Sequence, residues 1–270
     1  MYAPGHDVSR LSYFALYALQ HRGQESAGIA AADRGGQIVT RRELGLVSQV
    51  FSENDLHTLA GDLAIGHVRY STTGSNAWEN SQPVQRSAGR HGSSRELALA
   101  HNGNLINAVQ LHAELLERGV TFSSTSDSEI VAALIATHPA ERIEDAIAEI
   151  LPRLRGAFSI VAMTKDRVVA FRDPHGLRPL SLGVLDASEP GGCERHCVAS
   201  ESCAFDIIGA RNLREVRPGE LVTLDEDGLH SRQIVSGARQ AFCVFEYIYF
   251  ARPDSRMNDQ VLQVARGRMG

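Results

Sequence analysis

Cysteine is scarce in this chain, with four residues in 270: Cys193, Cys197, Cys203 and Cys243. That is too few to staple a domain of this size with disulfides, so reduced thiols are expected. No apolar run approaches the length a bilayer demands, and no basic stretch leads into an apolar one at the N-terminus. Both absences place the chain in the cytoplasm. Positive charge is not in excess either: the formal net charge is −5, which argues against a nucleic-acid surface as its main business. Internal repeats and low-complexity linkers are also missing, which excludes solenoid and array architectures.

What is present is ordinary globular material. Hydrophobic residues make up 43% and charged residues 22%, enough to build a full core over one large domain or two small ones. Val8, Leu11, Ala15, Ala18 and Leu19 recur at helical spacing. Glycines at 23, 28, 35 and 36 then punctuate short strands, among them Ile29-Ala-Ala and Gln37-Ile-Val-Thr. Leu63 to Arg69 and Glu96 to His101 read as strands, and Leu105 to Arg118 as an amphipathic helix. Ser126-Asp-Ser-Glu129 fits a capping box ahead of the helix Ile130 to Ile135. Ile143 to Leu154 continues at helical spacing, and Phe158 to Phe171 reads as a hairpin. Further strands are expected at Leu180, His196 and Glu220, the last closed by Asp225-Glu-Asp-Gly228. Strands at both ends around a helical middle, without regular strand–helix alternation, predict an α+β fold: stacked antiparallel sheets with helices packed outside them.

Four polar clusters sit where an apolar element begins or ends, the place where a rigid scaffold presents reactive groups. They are His21-Arg-Gly-Gln-Glu25, His67-Val-Arg-Tyr-Ser-Thr-Thr-Gly74, His101-Asn-Gly-Asn104 and Ser126-Asp-Ser-Glu129. Singly, each has a bland reading. Arg22 or Arg69 could hold a surface carboxylate, Asn102-Gly103 is a strong turn signal, and Asp127 suits the first turn of a helix. Together they suit an α-amino acid. Arg69 offers a planar fork to a carboxylate, Asp127 complements an ammonium group, and Asn102 with the Gly103 N–H can face an oxygen that becomes negative during acyl transfer. Cys193-Glu-Arg-His-Cys197 could suggest a metal site, but its spacing is loose and a variable loop with incidental thiols is the preferred reading.

At this point an ordered set of motifs resembles the glutaminase domain of the amidophosphoribosyltransferase family. The set comprises Leu19 to Gly28, Gly66 to Gly74, Ala100 to Asn104, Thr125 to Glu129, Arg172-Asp-Pro-His-Gly-Leu-Arg-Pro179, Ala199-Ser-Glu-Ser-Cys203 and Phe245-Glu-Tyr-Ile-Tyr-Phe-Ala-Arg-Pro-Asp-Ser255, spanning essentially the whole chain. The resemblance implies the class II amidotransferase fold of the N-terminal-nucleophile hydrolases, a four-layer αββα sandwich of two antiparallel sheets. It implies that Arg69 and Asp127 bind L-glutamine, that Asn102 and Gly103 form the oxyanion hole, and that Arg22, Gly23 and Thr72 line the pocket. It further implies that the complete enzyme, a homo-oligomer using Mg2+, passes ammonia to phosphoribosyl pyrophosphate in the first committed step of purine synthesis. A glucosamine-6-phosphate synthase-like glutaminase is the runner-up, disfavoured by Gln24-Glu25, Val68-Arg-Tyr70 and the Glu246 to Ser255 stretch.

The chain departs from the family pattern at its start. Members begin with a cysteine whose thiol attacks the amide and whose own amine is the base. This chain reads Met1-Tyr2 there, so the expectation is a sandwich without its first strand and without glutaminase activity as written. The alternative is a non-catalytic module that binds glutamine. Residues 1–238 are expected to be the glutaminase domain and 239–270 the start of a connection to a phosphoribosyltransferase domain. Cys243 stands where one branch of the family places a ligand of a [4Fe–4S] cluster. Such a cluster needs four thiolates, so it is expected in the complete protein only.

Overall fold

The computed structural model describes residues 1–33, 36–70, 77–90, 93–187 and 193–270, with backbone alone at 89, 90, 93 and 94. Helix α1 (Val8–Ala18) starts at Asp7, whose carboxylate accepts the Arg10 amide and so satisfies one of the free N–H groups of the first turn. Strands β1 (Ser26–Ala32), β2 (Val39–Leu44) and β3 (Leu63–Arg69) pair antiparallel in the order β2-β1-β3. The short helices α2 (Val47–Val50) and α3 (Glu53–Thr58) connect the last two. All seven residues of β1 are buried, because it is covered on both faces. Ala27, Ile29 and Ala31 meet the apolar side of α1 together with α2 and α3, while Ala30 and Ala32 point into a second layer of strands.

That second sheet contains β4 (Val84–Arg90), β5 (Ser93–Leu105), β6 (Gly156–Met163) and β7 (Val168–Arg172). Between β5 and β6 lie α4 (Ala108–Glu117), α5 (Asp127–Ala136) and α6 (Ile143–Ile150). The period-two alternation of β5 sorts its side chains: Leu97 and Leu99 pack against these helices, and Ala98 and Ala100 face the first sheet. Strands β8 (Ser181–Leu185) and β9 (Arg195–Ala199), helix α7 (Cys203–Ile208) and strand β10 (Arg211–Glu215) follow. Strands β11 (Glu220–Asp225) and β12 (Gly228–Gln233) extend the second sheet to the order β12-β11-β7-β6-β5-β4. The result is four layers, α–β–β–α, as the resemblance implied.

The first sheet is assembled from two halves, β2-β1-β3 and β10-β8-β9. Tyr2 joins them, bridging Leu63 of β3 on one side and His196 of β9 on the other. The Met1 nitrogen donates to Ala64 O at 2.7 Å, the Tyr2 N–H to His196 O at 3.1 Å and the Ala3 N–H to Asp62 O at 2.8 Å. Beyond the sandwich, a π-helical turn Glu246–Phe250, the hairpin of β13 (Arg256–Met257) and β14 (Gln260–Val261), and helix α8 (Leu262–Met269) close the chain around Ala251, Met257 and Leu262. Among the described residues no helix is long and apolar enough to cross a membrane.

Three local expectations need correction. Asn102-Gly103 is not a turn: both residues sit inside β5, opposite Ser159 and Phe158 of β6. Leu105 ends that strand, so the following helix begins only at Ala108. The capping box is also rearranged. Ser126 accepts the Ser128 amide, but Glu129 reaches past it to the Ser123 and Ser124 amides at 3.0 and 2.7 Å, organising the preceding loop. The expected loop at Cys193–Cys197 is in part strand: Cys193 is exposed ahead of β9, whereas Cys197 lies buried within it.

Phe158 is fully buried and meets Phe171 edge to face at 6.3 Å between ring centroids, in the core beneath the helices. Phe158→Ala is expected to cost about 3–5 kcal/mol, read as a lowered urea midpoint with an unchanged slope.

Candidate functional site

The two stacked sheets offer two ends. At one, the ends of β3 and β5 and the start of α5 enclose a cavity of about 110 Å³. Arg22, Arg69, Asn102, Gly103 and Asp127, five of the residues singled out from sequence, line it together. Gly23 stands just behind: a Cβ there would lie 2.4 Å from the Arg69 carbonyl carbon, so only glycine lets this turn rest on the end of β3. Thr72 lies outside the described residues.

Each group is held by something specific. Arg69 ends β3 and is buried, with Glu25 at 3.5 Å. Burial lowers its pKa, and the Glu25 charge offsets part of that. Asp127 begins α5; its Oδ2 accepts the Leu105 N–H at 2.9 Å and its Oδ1 lies 3.5 Å from His101 Nδ1. Burial would raise its pKa, but hydrogen bonding and charge from His101, with the Leu105 and Ser128 amides, leave it below the usual carboxylate value. Gly103 adopts φ +145° and a Cβ would come within 2.0 Å of Ala157 O, so no other residue fits this register of β5 against β6. Beside it, Asn102 Nδ2 is buried without a hydrogen-bond partner, as is His101 Nε2. Unpaired buried polar atoms are costly, and their gathering around one cavity marks a place built for a polar occupant.

Residues that lie in the quoted clusters and motifs but were given no role complete the wall: His67, Ser128, Arg178 and Phe250 among them. Burial, with His101 and Arg69 nearby, pushes His67 down to about 3, so it is a neutral imidazole near pH 7. Behind the wall lies a buried charge network that sequence reasoning also missed. Arg22 directs Nη1 to Glu201 and Glu246 and Nη2 to Glu246 at 2.7 Å, and its guanidinium stacks 4.6 Å from the Phe250 ring centre. Glu201, 0% exposed, also meets His21 Nε2 at 2.7 Å and accepts from the Arg252 N–H and the Ser255 hydroxyl. The available signal was an acid inside the aromatic run Phe245-Glu-Tyr-Ile-Tyr-Phe250, and another in the quoted motif Ala199-Ser-Glu-Ser-Cys203.

Among the described residues no cysteine lines the cavity. Burial pushes Cys203 up to about 11 and Cys197 up to about 12, so both are thiols near neutrality. Cys243 is half-buried ahead of the π-helical turn and joins no group of three ligand-type side chains; the one such group described is Asp225, Asp227 and His230. The residues described therefore do not fit an iron–sulfur cluster. At the far end of β5 a groove of about 1890 Å³ opens between α5, α6 and the hairpin turns. Its arginines are already engaged, Arg95 by the carbonyls ending α5 and Arg167 by Glu144 and Asp166. The smaller cavity, with its unpaired buried polar atoms, is the candidate site.

The chain matches the family model described as glutamine amidotransferase domain over residues 67–205. It is 48% identical to an amidophosphoribosyltransferase of Synechocystis and 46% identical to one of Mycobacterium bovis, with all of the chain aligned to 53% and 50% of those proteins. Its fold superimposes with a TM-score of 0.86 on the glutamine phosphoribosylpyrophosphate amidotransferase of B. subtilis, 40% identical, covering 96% of this chain and 53% of that one. The chain thus spans about half the length of the curated relatives it matches.

The network carries a pH signature. Burial would raise the Glu201 carboxyl, but the His21 hydrogen bond and the Arg22 charge win and hold it at about 2, against 4.5 unperturbed. A carboxylate lowered on folding stabilises above its unfolded pKa and loses that contribution as pH falls through the folded one. Urea denaturation from about pH 6 to about pH 3 is expected to show stability falling below about 4.5, toward a full loss on the order of 3 kcal/mol. Glu201→Gln is expected to be less stable near neutrality and to lack this limb.

Proposed function

Since the chain belongs to the glutamine amidotransferase family, in the form that amidophosphoribosyltransferases carry, we propose that its cavity binds L-glutamine and serves as the glutaminase part of such an enzyme. The observation that supports this most is the convergence on one small cavity of a buried cation, a buried carboxylate and the unpaired side-chain amide of Asn102. Arg69 would meet the α-carboxylate with its planar fork, and Asp127 the α-ammonium. The side-chain amide then extends along β5, where Asn102 Nδ2 and the Gly103 N–H would face the carbonyl oxygen. Donors fixed in a strand need no rearrangement when negative charge develops on that oxygen, which is how such a pair favours acyl transfer. Arg22, with its fork engaged by Glu201 and Glu246, would shape the wall and leave contact with the ligand to its neighbours.

The thiol that family members use to attack the amide is not among the described residues lining the cavity. These residues would therefore bind glutamine and face its amide without releasing ammonia by themselves. In the complete enzyme the ammonia would go to phosphoribosyl pyrophosphate, giving phosphoribosylamine, the first committed step of purine synthesis. That half-reaction, with its Mg2+, would belong to the part of the relatives' length that these residues do not span. A homo-oligomeric assembly and a cytoplasmic setting go with this proposal. So does the division in which residues 1–238 form the glutaminase unit and 239–270 lead away from it.

Isothermal titration calorimetry tests the reading. L-glutamine is expected to bind saturably and L-glutamate more weakly, because a side-chain carboxylate gives up far more hydration than an amide on entering a cavity of about 110 Å³. Arg69→Ala and Asp127→Asn are each expected to weaken glutamine binding about ten- to a hundred-fold, the loss of one charge-assisted pair. No saturable binding, or equal binding of the two ligands, would overturn the reading.

A further inference from the structure

Glu201 divides its two oxygens between two different parts of the chain. Oε1 faces the cavity wall, meeting His21 Nε2 and Arg22 Nη1. Oε2 faces the C-terminal segment, accepting the Arg252 N–H at 2.9 Å and the Ser255 hydroxyl at 2.7 Å. The same segment returns a second carboxylate, Glu246, to the other side of Arg22, and sets Phe250 against the guanidinium and into the cavity. Arg252 and Ser255 themselves are not part of the cavity lining.

The wall side is mechanically stiff. Gly23 rests on the Arg69 backbone with no room for even a Cβ, and the Glu25 N–H donates to Arg69 O at 3.1 Å. A shift of Arg22 is therefore passed to the end of β3, where Arg69 sits. The segment side is tied as well: the Arg266 side chain donates to Tyr247 O and Ala251 O, closing the π-helical turn, and the Arg256 N–H donates to Ser202 Oγ beside Glu201. Between two rigid bodies stands one fully buried carboxylate.

We propose that Glu201 is a positioning residue for the glutamine cavity, one that makes the placement of Arg22 and the docking of residues 246–255 a single equilibrium. This rests on the glutamine reading above. Undocking the segment would strip one oxygen of a buried carboxylate of its donors and take the Glu246 partner away from Arg22, so neither body moves without a cost to the other. Coupling of this kind is reciprocal: glutamine in the cavity tightens the segment, and loosening the segment weakens glutamine. Gln at this position keeps the shape but replaces one acceptor oxygen with a donor, so it can serve the wall or the segment and not both.

Hydrogen–deuterium exchange of the 270-residue chain, with and without saturating L-glutamine, reads the coupling at the Arg252 amide, which bonds to Glu201 and lies outside the cavity. Glutamine is expected to slow exchange there about fivefold or more in the wild type. In Glu201→Gln that slowing is expected to vanish, while glutamine still binds through Arg69 and Asp127 with reduced affinity. Ser255→Ala, which removes one donor on the segment side, is expected to reduce the slowing and is the variant to read if Glu201→Gln does not fold. The inference is overturned if glutamine binds yet leaves Arg252 exchange unchanged, or if a folded variant keeps the full effect. Absence of glutamine binding in the wild type would instead remove the reading on which the inference stands.

Discussion

The molecule depends on the close face-to-face contact of two sheets through small side chains. Ala30 and Ala32 of β1 meet Ala98 and Ala100 of β5 around Tyr2, Leu63, Ile65 and Met163. Alanines let the backbones approach, while the larger residues of the same strands, Ile29, Leu97 and Leu99, turn outward to the helices. Sheets packed this way lie on the order of 10 Å apart. That spacing is what brings the end of β3, carrying Arg69, over the end of β5, carrying Asn102 and Gly103. The cavity is thus a by-product of where two twisted sheets part at their edge, and helix α5 supplies the remaining wall by starting there with Asp127.

Much of this architecture was legible in sequence, for a physical reason. The alternation of β5 and the unbroken apolar character of β1 are direct images of burial on two faces, and the helical spacing of Val8 to Leu19 is an image of burial on one. What misled was local propensity. Asn-Gly favours a tight turn in isolation, yet in β5 both residues pair across to Ser159 and Phe158, because continuing the strand satisfies their backbone groups and keeps Leu97 and Leu99 in register. Glu129 likewise looked like half of a reciprocal cap, and instead gathers two loop amides. In each case a longer-range partner outcompeted the nearest one.

The candidate site divides along the same line. Arg69, Asn102, Gly103 and Asp127 announce themselves because their chemistry is complementary to one small molecule. Glu201 and Glu246 did not, since a single acid in a motif says nothing of which distant arginine it will meet, 179 and 224 residues away. Their value for net stability is also not obvious. Burying two carboxylates and a guanidinium costs solvation that mutual attraction only roughly repays, so such clusters are retained more for the geometry they impose than for the free energy they add. Here the imposed geometry is the height of Arg22 in the cavity wall, fixed from both sides and capped by an aromatic ring.

The position of residues 1–3 has a consequence for how the chain comes to be folded. Tyr2 lies between strands that begin at residues 63 and 195, so the middle of the first sheet is filled by residues 1–3 and sealed by strands that come far later in the chain. Such pairings close very large loops, the kind of contact that slows folding. The hairpins of the second sheet, β4 with β5 and β6 with β7, are local and can form early. The first sheet must wait as two separate halves with an open seam. Until β9 arrives, that seam exposes unpaired strand edges, and the growing chain is then most open to pairing with a neighbour rather than with itself.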